Sequence, residues 1–223
     1  MNDTDKEAEE YWDNLLDFKV DPWLGISGSA LKECYAALGV VSERWNASEG
    51  MMRLFVGHYI QIPETFSPAT MRHFNNIAIV DLLADCAAIA EKDYPDFLEA
   101  LNFLCALYSR CRENRNDLIH SRLNLNIQKR TADRVTKPRA QKNRNEKIFF
   151  CEVNDIKRIA DDINRLNGLI ITLMRALDCR KDPTKYTHHS VEDFLRLSKF
   201  PLPDRLTPLS AKELKGAPSN NQH

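Results

Sequence analysis

Three stretches of this chain carry apolar residues at alternating spacings of four and three, and each is longer than twenty residues. From about Ser29 to Ile60 the seam is Leu31, Tyr35, Leu38, Ser42, Trp45, Glu49, Met52, Val56 and Tyr59. From about 95 to 126 it is Phe97, Leu101, Leu104, Tyr108, Cys111, Arg115, Leu118, Arg122 and Leu125. From about 154 to 178 it is Ile156, Ile159, Ile163, Leu166, Ile170, Leu173 and Leu177, with Asn154 placed to cap the first turn. That spacing is the seam of a helix packed lengthwise on others. A further segment, about 69 to 92, is apolar nearly all round (Ile77, Ala78, Ile79, Val80, Leu82, Leu83) and predicts the most enclosed helix. Prolines fall between these segments, at 22, 63, 68, 95, 138 and 183 and four times after 200, where they punctuate helices rather than interrupt them. The pattern predicts an all-α fold, an antiparallel bundle of four to five helices spanning residues 29–178.

One connection is too long for a plain bundle. Residues 126–153 form a basic insertion before the last long helix, with Lys129, Arg130, Arg134, Lys137, Arg139, Lys142, Arg144 and Lys147 set against Asp133 and Glu146. The local excess is six positive charges in a chain whose formal net charge is −1. IFFCEV follows, short and β-prone, and reads as one strand of a small hairpin. A long insertion inside a compact domain is functional or unstructured. Either these side chains contact phosphates, which makes binding salt-dependent, or they form a solvated loop. Residues 1–28 are an acidic arm, with seven carboxylates against two lysines in the first twenty, and could cover the basic insertion by charge mimicry. Residues 179–223 read as a polar, proline-rich tail with one short helical candidate near 190–198.

Several classes of function lack support. No run approaches the roughly 20 apolar residues of a membrane-spanning helix, and the acidic N-terminus is unlike a secretory signal. A cytoplasmic protein without a membrane partner is expected. The six cysteines include no CxxC pair and read as free thiols, three of them (Cys86, Cys105, Cys111) inside apolar helical stretches. Asp81 and Asp85 share a helix face, but no histidine or third carboxylate joins them at helical spacing, so solvated carboxylates are the better reading. His188 and His189 sit in a polar stretch and read as loop residues. A phosphate-binding glycine loop, a zinc cluster and a G-x-S-x-G turn are all absent. No metal and no cofactor is expected.

Two charges interrupt the seams, Glu49 in the first and Arg115 in the third helical segment. A charge withdrawn from water costs several kcal/mol unless paired. The two could meet across the bundle, with Glu49 orienting the guanidinium, or each could reach solvent by its long stem. The stretch after Arg115, ENRNDLIHSRL, places Asn116 and His120 four apart on one face. Arg115 lies about 140° of helical rotation from His120 and is expected to point toward the seam.

Arg115-Asn116-Asp117-Leu118-Ile119-His120 resembles the signature of the HEPN domains (higher eukaryotes and prokaryotes nucleotide-binding): an arginine, four to six residues, then a histidine, with a polar residue directly after the arginine. The motif falls near the end of the third helix of the expected bundle, where that superfamily carries it. WNASE (45–49) is similar to the first-helix tryptophan and glutamate of many bacterial members. The resemblance implies a homodimeric, metal-independent endoribonuclease leaving 2′,3′-cyclic phosphate and 5′-hydroxyl ends, with roles in bacterial defence, toxin–antitoxin pairs or stress. An antitoxin or regulatory protein would be a further partner. It implies that His120 assists proton transfer at the 2′-hydroxyl or the leaving oxygen, that Arg115 orients the site or stabilises charge on the scissile phosphate, and that Asn116 positions its neighbours by hydrogen bonds. These residue types suit the chemistry: histidine titrates near neutrality, and a guanidinium matches a developing phosphorane charge.

Other readings come from other classes. The fold could be a non-catalytic helical module that binds RNA or a protein, with Arg115 and His120 structural. More plainly, it could be a helical interaction protein whose motif match is accidental. Exposure of His120 and reach of Arg115 discriminate among them.

Overall fold

The computed structural model describes residues 29–60, 65, 67–126, 131–136, 147–185, 189–197 and 199–207, the three strands by backbone and register. The acidic arm 1–28 and the tail beyond 207 lie outside the described residues. The order is α1 (Ser29–Tyr59), α2 (Ser67–Met71), α3 (Asn76–Ala90), α4 (Pro95–Ile119), β1 (Ser121–Asn126), β2 (Thr131–Thr136), β3 (Lys147–Cys151), α5 (Val153–Lys181), a 3-10 turn (Pro183–Lys185) and α6 (Val191–Leu197). The protein is an all-α bundle with a small sheet inserted between α4 and α5.

Local chemistry sets the helix starts. Asn75 caps α3 by accepting from the backbone N–H groups of Ile77 and Ala78. Pro95 opens α4, where its missing N–H costs no intrahelical bond. The first turn of α5 is capped by Glu152 and Asp155 in a reciprocal box, the Glu152 N–H donating to Asp155 Oδ2 at 3.0 Å. Asn154, the expected cap, lies inside the helix instead, because Glu152 is already extended and its side chain reaches the third helical residue.

The seams meet in one core. Trp45, Met52 and Val56 of α1, Leu101, Leu104 and Tyr108 of α4, and Ile163, Leu166, Ile170 and Leu173 of α5 are all buried in it. Tyr35, placed on the seam by spacing, is exposed. Contacts fix the directions. Glu33 pairs with Lys157, Arg44 with Asp161 at 3.0 Å, and Lys181 lies against His58, so α1 and α5 run side by side in the same sense. Trp45 packs on Tyr108 with ring centroids 4.9 Å apart, and Tyr59 reaches Glu91 just before α4, so α4 runs opposite to both.

At one pole, Glu91 is almost fully buried and takes both terminal nitrogens of Arg180, together with the Tyr59 hydroxyl at 2.9 Å. The guanidinium lies 4.6 Å from the Tyr94 ring centroid and 5.0 Å from that of Phe97. Burial alone pushes the Glu91 carboxyl up, but the hydrogen bonds from Arg180 and Tyr59 and the Arg180 charge outweigh it and hold the carboxyl low. At the opposite pole lie the start of α1, the end of α4, the sheet and the start of α5.

Two elements depart from expectation. α3 buries Ile79, Leu83 and Ala87 on one face, whereas Ile77 is 55% and Ile89 77% exposed. The most enclosed helix is α5, which packs on α1, α4 and α6 and buries twelve residues. An all-apolar composition marks a helix that could be enclosed, but position at the bundle edge decides. The third long helix ends at Ile119 rather than near 126, and residues 121–126 pair as β1. β1, β2 and β3 form an antiparallel meander, Ser121 opposite Thr136 and Thr136 opposite Lys147. The expected strand in IFFCEV is β3.

Candidate functional site

Arg115, Asn116 and His120 come together at the end of α4. The helix stops as His120 takes φ −88° and ψ 2°, its N–H still donating to the Asn116 carbonyl at 3.1 Å. Buried Leu118 anchors this last turn to the core, while His120 is exposed. Arg115 Nη1 donates to Asn116 Oδ1 at 3.1 Å and lies 3.3 Å from His120 Nε2. A guanidinium can only donate, so a hydrogen bond between the two has Nε2 as its acceptor. The Nε of Arg115 is buried without a partner among the described residues. The stem is thus enclosed while the charged head emerges at the motif.

The expectation that Arg115 points toward the seam fits its buried Nε, but its terminal nitrogen also reaches back to His120. The 140° separation holds for Cα positions within a regular helix. His120 still makes its helical N–H bond to the Asn116 carbonyl, so it is the long arginine side chain that spans the gap.

The expected pairing of Glu49 with Arg115 is not made. Glu49 Oε1 accepts from Trp45 Nε1 at 2.7 Å and from the Asn76 amide, and Glu49 Oε2 lies 3.7 Å from Arg53. Register explains it. Since α1 and α4 are antiparallel and Trp45 meets Tyr108, Glu49 lies about 6 Å to one side of that contact, and Arg115 about 10 Å to the other. Glu49 therefore orients a polar cluster at mid-bundle and not the candidate site. In that cluster the Tyr108 hydroxyl is buried without a partner among the described residues, and burial, then the Glu49 charge, push its pKa up.

Of the basic residues, Arg134 lies in β2 opposite Phe149, and Lys147 in β3 opposite Thr136. Lys129, Arg130, Lys137, Arg139, Lys142 and Arg144 lie outside the described residues. Since β1 begins at Ser121, directly after His120, the sheet springs from the motif itself.

Asp81 and Asp85 are both exposed on α3, and no group of three metal-ligating side chains occurs among the described residues. Cys34, Cys86, Cys105, Cys111 and Cys179 are thiols and form no disulfide. Burial pushes the Cys105 thiol up to about 11 and the Cys111 thiol up to about 12, the charges of Asp81 and Asp162 adding to it, so neither is a nucleophile at neutral pH.

Sequence reasoning missed Asn114, which is 2% exposed and bonded to residues 204 and 206. A second four-and-three series, Ala100, Leu104, Leu107, Cys111, Asn114 and Leu118, carries it and would have flagged an amide in need of buried partners. It also missed Asp162, a largely buried carboxylate whose pKa burial pushes up against the opposing charges of Arg165 and Arg158. A cavity of about 480 Å³ at the same pole is lined by Asp155, Arg158, Asp204, Arg205, Leu206 and Thr207.

Comparison of the chain with protein-family models, curated proteins and solved structures finds no match. Among the described residues, no helix is long and apolar enough to cross a membrane.

Proposed function

We propose that the protein is a metal-independent endoribonuclease of HEPN type, acting as a homodimer. The observation that carries the reading is the contact of an exposed His120 with the Arg115 guanidinium, Asn116 completing the group within hydrogen-bond distance. In the free site the guanidinium holds the ring by its unprotonated Nε2. When a phosphodiester enters, its anionic oxygens are better acceptors than an imidazole nitrogen, and the guanidinium turns its donors to them. Nε2 is then released to take the 2′-hydroxyl proton. The 2′-oxygen attacks phosphorus, the bond to the 5′-oxygen breaks, and the leaving oxygen takes a proton from the second copy's histidine in its imidazolium form, so that one ring gains the proton the other gives up. Products are a 2′,3′-cyclic phosphate and a 5′-hydroxyl. Arg115 is best placed to stabilise the extra charge of the phosphorane, and Asn116 to keep the guanidinium in register between turnovers.

The basic sheet insertion beside the motif suits the backbone of an RNA strand. A role in defence, a toxin–antitoxin pair or stress, with a cytoplasmic location and a regulatory protein partner, belongs to the same proposal. The test is cleavage of RNA by the purified full chain in EDTA, with chemical identification of the ends formed.

A further inference from the structure

We infer that residues 199–207 act as a clasp that positions the candidate site, an inference that rests on the nuclease reading and names what holds that site in shape. The strap follows α6 and runs extended along α4 toward the motif. Phe200 packs edge-on against Phe103 at 5.3 Å, the Pro203 carbonyl accepts from Arg110 Nη1 at 2.9 Å, and Leu206 is buried one turn from the motif. Pro201 and Pro203 favour an extended backbone and cut the entropy lost when the strap is laid down.

Asn114 is the centre of the clasp. Its amide donates to the Asp204 carbonyl at 2.9 Å and accepts from the Leu206 N–H at 2.9 Å. Both polar ends of a buried side chain are therefore held by strap backbone, and the residue after Asn114 is Arg115. The strap also bridges to α5, with Arg205 3.4 Å from Glu113 on one side and Asp204 3.8 Å from Arg158 on the other. It ties the two helices together at the level where β1 leaves α4 and β3 enters α5. The last turn of α4, from which Arg115, Asn116 and His120 project, is thus set in position by a segment more than eighty residues away in sequence. Asn114 and Leu206 are positioning residues; neither needs to touch RNA.

The test uses the full chain with Asn114→Ala and Leu206→Asp, and Leu202→Ala as an exposed control in the same strap. Single-turnover cleavage well below the unfolding temperature should slow about 10-fold or more at saturating RNA, with KM within about 2-fold, as expected for misplaced reacting groups. Amide exchange should rise at 115–121 and 203–207 and stay unchanged along 163–177. If Leu206→Asp does not fold, Leu206→Ala combined with Arg110→Gln carries the same comparison. Exchange rising at 203–207 while 115–121 and the cleavage rate stay as in wild type would overturn the clasp. If wild-type chain cuts no RNA, the nuclease reading fails by itself, and the exchange at 115–121 still decides whether the strap braces that turn.

Discussion

Arg115 and His120 meet at 3.3 Å although a regular helix would hold them on different faces. The long arginine side chain closes the gap, and under the proposed function the guanidinium has two tasks, holding the ring in the free site and meeting phosphate in the occupied one. Arg115→Lys keeps the charge but loses the planar fork that can span Asn116 and His120 together. Cleavage should fall about 10²-fold in single-turnover assays, close to the loss in Arg115→Ala. A lysine variant with near wild-type activity would mean that charge alone suffices.

Glu91 and Arg180 anchor the pole away from the site. Removing one partner of a buried pair leaves the other uncompensated, so Glu91→Ala should cost about 3–5 kcal/mol in denaturant unfolding. The pH dependence has a definite sign. The folded pKa of Glu91 is held low, so its stabilisation is fully present above the unfolded value of about 4.3 and is lost as pH falls through the folded value. The acid limb of the wild-type stability curve should therefore be steeper than that of the variant.

Asp162 has the opposite sign. Burial raises its folded pKa, so the native state holds more protons than the unfolded chain between the two values, and stability falls as pH rises through that window. At neutral pH the buried charge is a standing cost. Asp162→Asn should raise stability at pH 7 by on the order of 1 kcal/mol and flatten that limb of the curve, as read by thermal unfolding across pH.

Tyr108 separates packing from polarity in the core. Its ring packs on Trp45, while its hydroxyl is buried without a partner among the described residues. Tyr108→Phe should leave stability unchanged or raise it by about 1 kcal/mol, whereas Tyr108→Ala should cost about 3–5 kcal/mol. Chemical denaturation of the two variants measures the difference.

The sequence carried the helices and their buried faces well, because Leu38, Trp45, Met52 and Val56 repeat a period that only a packed helix uses. It carried the end of α4 poorly. Arg122 and Leu125 continue the helical spacing, yet SRLNLN also alternates every second residue, and hairpin pairing with β2 decided between the two periods. The Arg115-Asn116-His120 group was legible because it is local. Glu49 was misassigned because a cross-bundle pair depends on register, which a spacing pattern within one helix does not encode. The strap was invisible for a similar reason. Its Pro-rich polar composition is that of a tail, and the side chains that bind its backbone, Arg110 and Asn114, are distant in sequence.

The most direct measurement is RNA cleavage in EDTA by wild-type chain beside His120→Ala, with the ends identified. Under the proposed function, wild type cuts without metal and leaves 2′,3′-cyclic phosphate and 5′-hydroxyl ends, and His120→Ala abolishes cutting while unfolding at the wild-type temperature. A folded wild-type dimer that cuts nothing in a broad RNA panel, or cutting that survives in His120→Ala, would contradict it.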